Sequence, residues 1–163
     1  GKIIGGGMPM GGIAGDRKIM SMLAPLGPVY QAGTLSGNPV ATAAGIATLK
    51  LLKTSNPYPR LAALAGRFAS KVNTVAADRK LGVHCAVFKG IFTIFFSGRH
   101  PLRNLDEVKT CDTALFAAFF RHMLKRGFYM SPSQFELNFI SAAHTEAEID
   151  AASAAACEFF DTM

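Results

Sequence analysis

The sequence predicts a mixed helix-and-strand chain in two unlike parts, and three observations carry that prediction. Half of the 163 residues are hydrophobic and 17% are charged, against a usual charged share of about a quarter, so the chain buries a core instead of staying disordered. Two short runs rich in β-branched and aromatic residues, 83–88 and 91–96, are separated only by Lys89-Gly90, the pattern of paired strands. Around them, apolar residues recur at helical spacing. The longest apolar runs, such as Ile91–Phe96 with its Thr93, fall far short of the roughly 20 residues a membrane-spanning helix needs, so the chain reads as soluble.

Taken in order, residues 1–15 are dominated by glycine, interrupted by Met8-Pro9-Met10. Glycine reaches positive φ without strain, so this stretch reads as loop and tight turn. Asp16 is placed to cap a short helix running to Leu23, and Ala24–Gly37, with Pro25, Gly27, Pro28 and Gly33, reads as a second loop. Asn38-Pro39 starts a helix that continues to about Lys53; its small residues suggest close packing. The polar, proline-punctuated stretch Thr54–Pro59 is the candidate domain boundary. From Arg60 onward, Leu61, Leu64, Phe68, Val72 and Val75 share one helical face. The strand pair follows, then a polar loop over 98–109, and a helix carrying Phe116, Phe119, Phe120 and Met123 that stops at Gly127. Phe128–Met130 reads as a short strand. Thr145 with Glu148 forms a capping box opening the last helix, whose Ile149, Ala152, Ala156 and Phe159 face inward.

The second half therefore reads as an α+β unit with its own core. The first half, one or two helices between glycine loops, has too little structure to cover its own apolar faces. It must lean on further chain, and an opening of Gly1-Lys2-Ile3-Ile4-Gly5, without Met or a leader, reads as a start in mid-chain.

The net charge of +6 does not mark a nucleic-acid surface, because the basic residues are scattered singly along the helical segments. Cys85, Cys111 and Cys157 form no CxxC pair and fit a reducing compartment. The four histidines never stand at i, i+4, so no zinc helix is indicated, and each reads as a surface or half-buried residue. Several phosphate and nucleophile motifs fail. Gly1-Lys2 is followed by Ile3, the GxGxxG spacing from Gly5 ends on Met10, and no GxSxG occurs. Met8, Met10, Met20 and Met22 read as core filling.

What remains is Lys2 ahead of a glycine-rich turn, and a Gly33-Thr34-Leu35-Ser36-Gly37-Asn38-Pro39 loop leading into a helix. A lysine that must condense with an aldehyde cofactor needs a rigid, partly desolvated place, and glycines beside it leave room for a flat ring. Thr34 and the amides around it suit a phosphate. On composition alone, a solvated loop lysine and an ordinary turn threonine explain the same residues.

The segments Gly1–Gly11, Tyr30–Pro39 and Pro132-Ser133-Gln134-Phe135-Glu136, the last followed by Ser141-Ala142-Ala143-His144-Thr145, strongly resemble the glutamate-1-semialdehyde 2,1-aminomutase family. These are class III aminotransferases dependent on pyridoxal 5'-phosphate. The first two segments are shared with class III aminotransferases at large; the Pro132–Glu136 segment points to the aminomutases. Residues 13–16 depart from the family's more usual Ala-Tyr-Gly-Gly.

The resemblance implies an α/β fold of type I: residues 1–55 are the tail of the large cofactor-binding domain and 56–163 the small C-terminal α+β domain. It implies that Lys2 forms the Schiff base and shuttles protons, and that Gly33 and Thr34 contact the cofactor phosphate in the neighbouring subunit. Tyr30 would line that shared site, and Glu136 would stand near the substrate's carboxylate end, paired with an arginine from elsewhere. It further implies a homodimer acting on glutamate-1-semialdehyde in tetrapyrrole biosynthesis, in a bacterial cytosol or plastid stroma, with no metal. The resemblance covers less than half of such an enzyme, its C-terminal part, so the piece alone is expected to be inactive. Another class III ω-aminotransferase, or a non-catalytic remnant, are the alternatives.

Overall fold

In the computed structural model, which describes residues 3–163, the backbone turns left-handed at Asn56 (φ 39°). The chain divides there into two units, one ending at Asn56 and one running Pro57–Met163. The break is narrower than the polar composition of 54–59 suggests. Thr54 and Ser55 stay helical, their hydroxyls bonded back to the Lys50 and Leu51 carbonyls, and the next helix restarts at Tyr58.

In the first unit, turns over residues 3–7 use positive φ at Gly6 and Gly7. Helix α1 (Arg17–Met20) is capped by Asp16, which accepts from the Lys18 amide at 2.8 Å. It ends three residues before the predicted Leu23, since Leu23 is drawn into a parallel bridge with Val29. Helix α2 (Pro39–Ser55) starts where Asn-Pro requires, the Asn38 carboxamide accepting from the Val40 and Ala41 amides. Its small residues do allow close approach: a Cβ at Gly45 would strike the Met10 sulfur, and one at Gly6 would strike Thr48. Only Gly5, Ala41 and Gly45 are buried in this unit among the described residues, while Ile13, Leu26, Ile46, Leu49 and Leu51 are exposed. Met8 and Met22 are exposed too, so they do not fill a core.

The second unit is built on a three-stranded antiparallel sheet in the order β1-β2-β3. Helix α3 (Tyr58–Asp78) leads into β1 (Val83–Phe88) and β2 (Ile91–Phe96), joined by Lys89-Gly90 with Val83 opposite Phe96 and Phe88 opposite Ile91. The loop over 98–109 contains a one-turn helix, α4 (Leu105–Val108), capped by Asn104. Helix α5 (Thr113–Lys125) ends as Gly127 predicts: Gly127 has φ 86° and the Phe128 amide reaches back to the Met123 carbonyl at 2.9 Å. Phe128–Met130 is not a strand. The third strand is β3 (Asn138–Phe139), which takes the edge of β2 opposite Ile91 and Phe92. Helix α6 (Glu146–Phe159) opens with the Thr145/Glu148 capping box and runs into a 3-10 turn at Phe160–Thr162.

Alternation places Val83, Cys85, Phe92, Ile94 and Phe96 on one face of the sheet, all buried. They pack with Leu64, Phe68 and Val72 of α3, Phe116, Phe119 and Met123 of α5, and Ile149 and Ala156 of α6 in a single apolar cluster. The Phe96 ring lies 5.5 Å from Phe119 and 6.1 Å from Phe159. Side-chain carboxamides satisfy both sides of the hairpin. Asn73 of α3 accepts from the Cys85 amide at 2.7 Å and donates to its carbonyl at 2.9 Å. On the other side, the Phe92, Ile94 and Phe96 carbonyls accept from Asn138 Nδ2, Gln134 Nε2 and the Asp112 amide. No helix among the described residues is long and apolar enough to cross a membrane.

Candidate active site

Two clusters carry the residues singled out by sequence, one in each unit. Lys2 lies outside the described residues. In the first unit, Tyr30, Gly33 and Thr34 sit together on the loop between the Leu23–Val29 bridge and α2. A tight turn forms there, the Ser36 amide donating to the Gly33 carbonyl at 2.9 Å and the Asn38 amide to Leu35 at 3.1 Å. Tyr30 is 83% exposed. Thr34 is exposed, and among the described residues neither its amide nor its hydroxyl has a partner.

Beside this turn is a cleft of about 360 Å³ lined by Met10, Gly11, Gly33, Ser36, Asn38 and Thr42. The fold thus sets the end of the glycine-rich segment against the Gly33–Asn38 turn and the first turn of α2. Thr34 is not among the residues lining the cleft. The first amides of α2 are taken by Asn38, and those of Ser36 and Asn38 by carbonyls of the turn itself. The amide and hydroxyl of Thr34, unpartnered among the described residues, suit a phosphate on the turn outside that cleft.

In the second unit, Glu136 rides on the turn between Met130 and β3 and is exposed. Its carboxylate accepts from the Ser131 hydroxyl at 3.3 Å, and its amide donates to the Ser133 carbonyl at 3.1 Å. Behind it, Gln134 is buried and donates to Ile94 at 2.7 Å, while Asn138 accepts from the Ser131 amide at 2.8 Å. A cavity of about 200 Å³ is lined by Thr93, Phe95, Leu105, Gln134 and Glu136. Two buried atoms in its lining residues, the Thr93 hydroxyl oxygen and Gln134 Oε1, have no hydrogen-bond partner. Such a stranded atom costs about 1–3 kcal/mol, so it calls for an explanation. Sequence reasoning assigned no role to Thr93, Gln134 or Asn138. The polar interruption of an apolar strand by Thr93 was the available signal.

Elsewhere the titratable groups are structural. Burial pushes the Cys85 thiol up to about 12, which makes it unreactive. Burial, and then the stacked His100 ring 5.3 Å away, holds His84 below its ordinary value. A groove of about 340 Å³ is lined by Phe68, Phe92, Phe128 and Tyr129. Two of its polar side chains are already engaged: His144 accepts from the Ser141 amide, and the Thr145 amide and hydroxyl hold the Glu148 carboxyl below the usual range. No group of His, Cys, Asp and Glu among the described residues is arranged to hold a metal ion.

The glycine-rich segment, the turn before α2 and the start of the α+β unit, through α3 and β1, are parts of one family pattern. The family model for class-III aminotransferases matches residues 1–94, and the chain belongs to that family. Among its relatives, the glutamate-1-semialdehyde 2,1-aminomutase of Dechloromonas aromatica is 47% identical over 165 residues, covering 100% of this chain and 38% of the relative. That of Desulforapulum autotrophicum is 49% identical over 158 residues, covering 97% of this chain and 37% of the relative. The chain thus spans well under half the length of these curated relatives.

Solved structures agree on the fold. A β-phenylalanine aminotransferase from Variovorax paradoxus superposes with a TM-score of 0.88 at 28% identity, over 99% of this chain and 37% of that one. A transaminase with bound pyridoxal phosphate gives 0.79 at 26% identity, over the same shares. The mixed helix-and-sheet structure is therefore a portion of the α/β aminotransferase fold.

Proposed function

We propose that these residues form the C-terminal part of a pyridoxal-phosphate-dependent aminomutase that converts glutamate-1-semialdehyde to 5-aminolevulinate, supplying tetrapyrrole synthesis in a bacterial cytosol or plastid stroma. The observation that carries the reading is identity of 47% and 49% to two aminomutases over nearly the whole chain. In this reading residues 1–55 are the tail of the large domain and 56–163 the small C-terminal domain.

When bound, the cofactor supplies an electron sink that makes a C–H bond next to the amino group acidic. The chain's own residues do the rest. Lys2 tethers the cofactor and moves a proton between the two substrate carbons that exchange the amino group. Thr34, through its hydroxyl and amide, and the Gly33 backbone hold the phosphate. Tyr30, exposed on the same loop, lines the site shared by two subunits of a homodimer. Glu136 stands at the substrate's carboxylate end, paired with an arginine from outside these residues. The piece alone is inactive, since the groups that hold the pyridine ring lie outside it.

The test uses a polypeptide of the relatives' full length, these residues joined to the remaining part of the Dechloromonas aromatica enzyme. Turnover of the semialdehyde without any added 2-oxoacid is expected, with borohydride trapping the cofactor on Lys2. Activity that requires a 2-oxoacid makes the chain an ω-aminotransferase instead. Label on another side chain overturns the site.

A further inference from the structure

We propose that Gln134 is the positioning residue for Glu136, hanging the turn that carries this carboxylate from the edge of β2. The proposal rests on the reading of Glu136 as the acidic group at the substrate's carboxylate end. Gln134 is 3% exposed and donates through Nε2 to the Ile94 carbonyl at 2.7 Å. Two residues beyond Glu136, Asn138 accepts from the Ser131 amide at 2.8 Å and reaches the Phe92 carbonyl at 3.5 Å. The turn is thus closed on itself and tied to one strand on both sides of Glu136. The carboxylate itself accepts one hydrogen bond among the described residues, from the Ser131 hydroxyl. An exposed carboxylate on an untethered turn samples many positions, whereas one held from a strand keeps its place, and small displacements of a binding group cost large factors in rate.

The choice of residue supports this. An apolar side chain of similar length would fill the same volume without stranding an oxygen, as Gln134 Oε1 is stranded. What glutamine adds is the amide donor to Ile94. The competing explanation is that Gln134 merely caps a strand-edge carbonyl, and coupling to Glu136 separates the two.

In the full-length polypeptide, Gln134→Met is expected to raise KM for the semialdehyde about tenfold with kcat within about twofold and the absorbance of bound cofactor unchanged. In a Glu136→Ala background the same change is expected to add nothing. If Glu136→Ala is itself damaging and Gln134→Met multiplies the loss, the positioning role is overturned while the reading of Glu136 stands. If Glu136→Ala leaves both constants untouched, the reading of Glu136 falls and the proposal with it. Should Gln134→Met not fold, Gln134→Glu decides. Its neutral carboxyl can donate to Ile94 and its carboxylate cannot, so the ratio of its KM to the parent's must rise with pH through the carboxyl ionisation. A flat ratio overturns the proposal.

Discussion

Helices α2 and α3 follow one another in the chain and are similar in length, 17 and 21 residues, yet they are buried very differently. Helix α3 buries Leu64, Ala65, Phe68, Ala69, Val72 and Ala76, all in one stripe against its own sheet and α6. Helix α2 buries only Ala41 and Gly45. Of its larger apolar residues, Leu52 is partly covered, while Val40, Ile46, Leu49 and Leu51 are each about half exposed or more and point to different sides of the helix. A helix apolar on all sides is one made for burial on all sides. The lesson is that α3 finds its partners within these residues and α2 does not, in keeping with a chain that spans 38% of a relative's length.

The largest expected effect separates the two regions outright. Expressed alone, Pro57–Met163 should unfold in one cooperative urea transition, and the segment ending at Asn56 should show none. A cooperative transition in the latter would erase the contrast. Next, Phe119→Ala removes a ring that is 1% exposed and touches Phe96, Phe116 and Phe159, which should cost about 3–5 kcal/mol by urea denaturation. Leu51→Ala, 65% exposed, should change stability by less than about 0.5 kcal/mol. In the full-length polypeptide that second figure should rise several-fold, if α2 is covered there.

A smaller effect comes from the start of α6. Thr145→Ala should cost about 1 kcal/mol. Because the Thr145 amide and then its hydroxyl hold the Glu148 carboxyl below its ordinary value, the hydroxyl's share, which Thr145→Ala removes, is present above the unfolded carboxylate value and lost as pH falls through the folded one. The gap between variant and parent should therefore narrow in acid. The smallest effect involves His84, whose lowered value favours the neutral ring on folding. That contribution is complete above the unfolded histidine value of about 6.5 and declines as pH falls through it. His84→Phe should flatten the change in unfolding midpoint between pH 8 and pH 5.

What was legible in the sequence was local chemistry. Asn38-Pro39, the Thr145/Glu148 box, Gly127 and the strand pair all announce themselves within a few residues, and each stands where its pattern places it. The one-turn α4 was hidden because a single turn has no periodicity to detect. Phe128–Met130 misled because its two ends serve burial, with Phe128 packed against the core and Met130 8% exposed. The edge of β2 is instead taken by Asn138 and Phe139, a pair with little strand character. The candidate site followed the same rule. The Pro132–Glu136 segment could be recognised as a motif, but the bond from Gln134 to Ile94 spans 40 residues and no local pattern records it.

The carboxamides flanking the hairpin bear on how copies of this protein behave towards one another. An open strand edge is a template on which a second molecule can add its own strand, the first step towards fibrils. Here Asn73 occupies Cys85 on one margin, and Gln134, Asn138 and the Asp112 amide occupy alternate carbonyls on the other. Three amide side chains thereby occupy backbone groups of a phenylalanine-rich hairpin that an added strand would otherwise pair with.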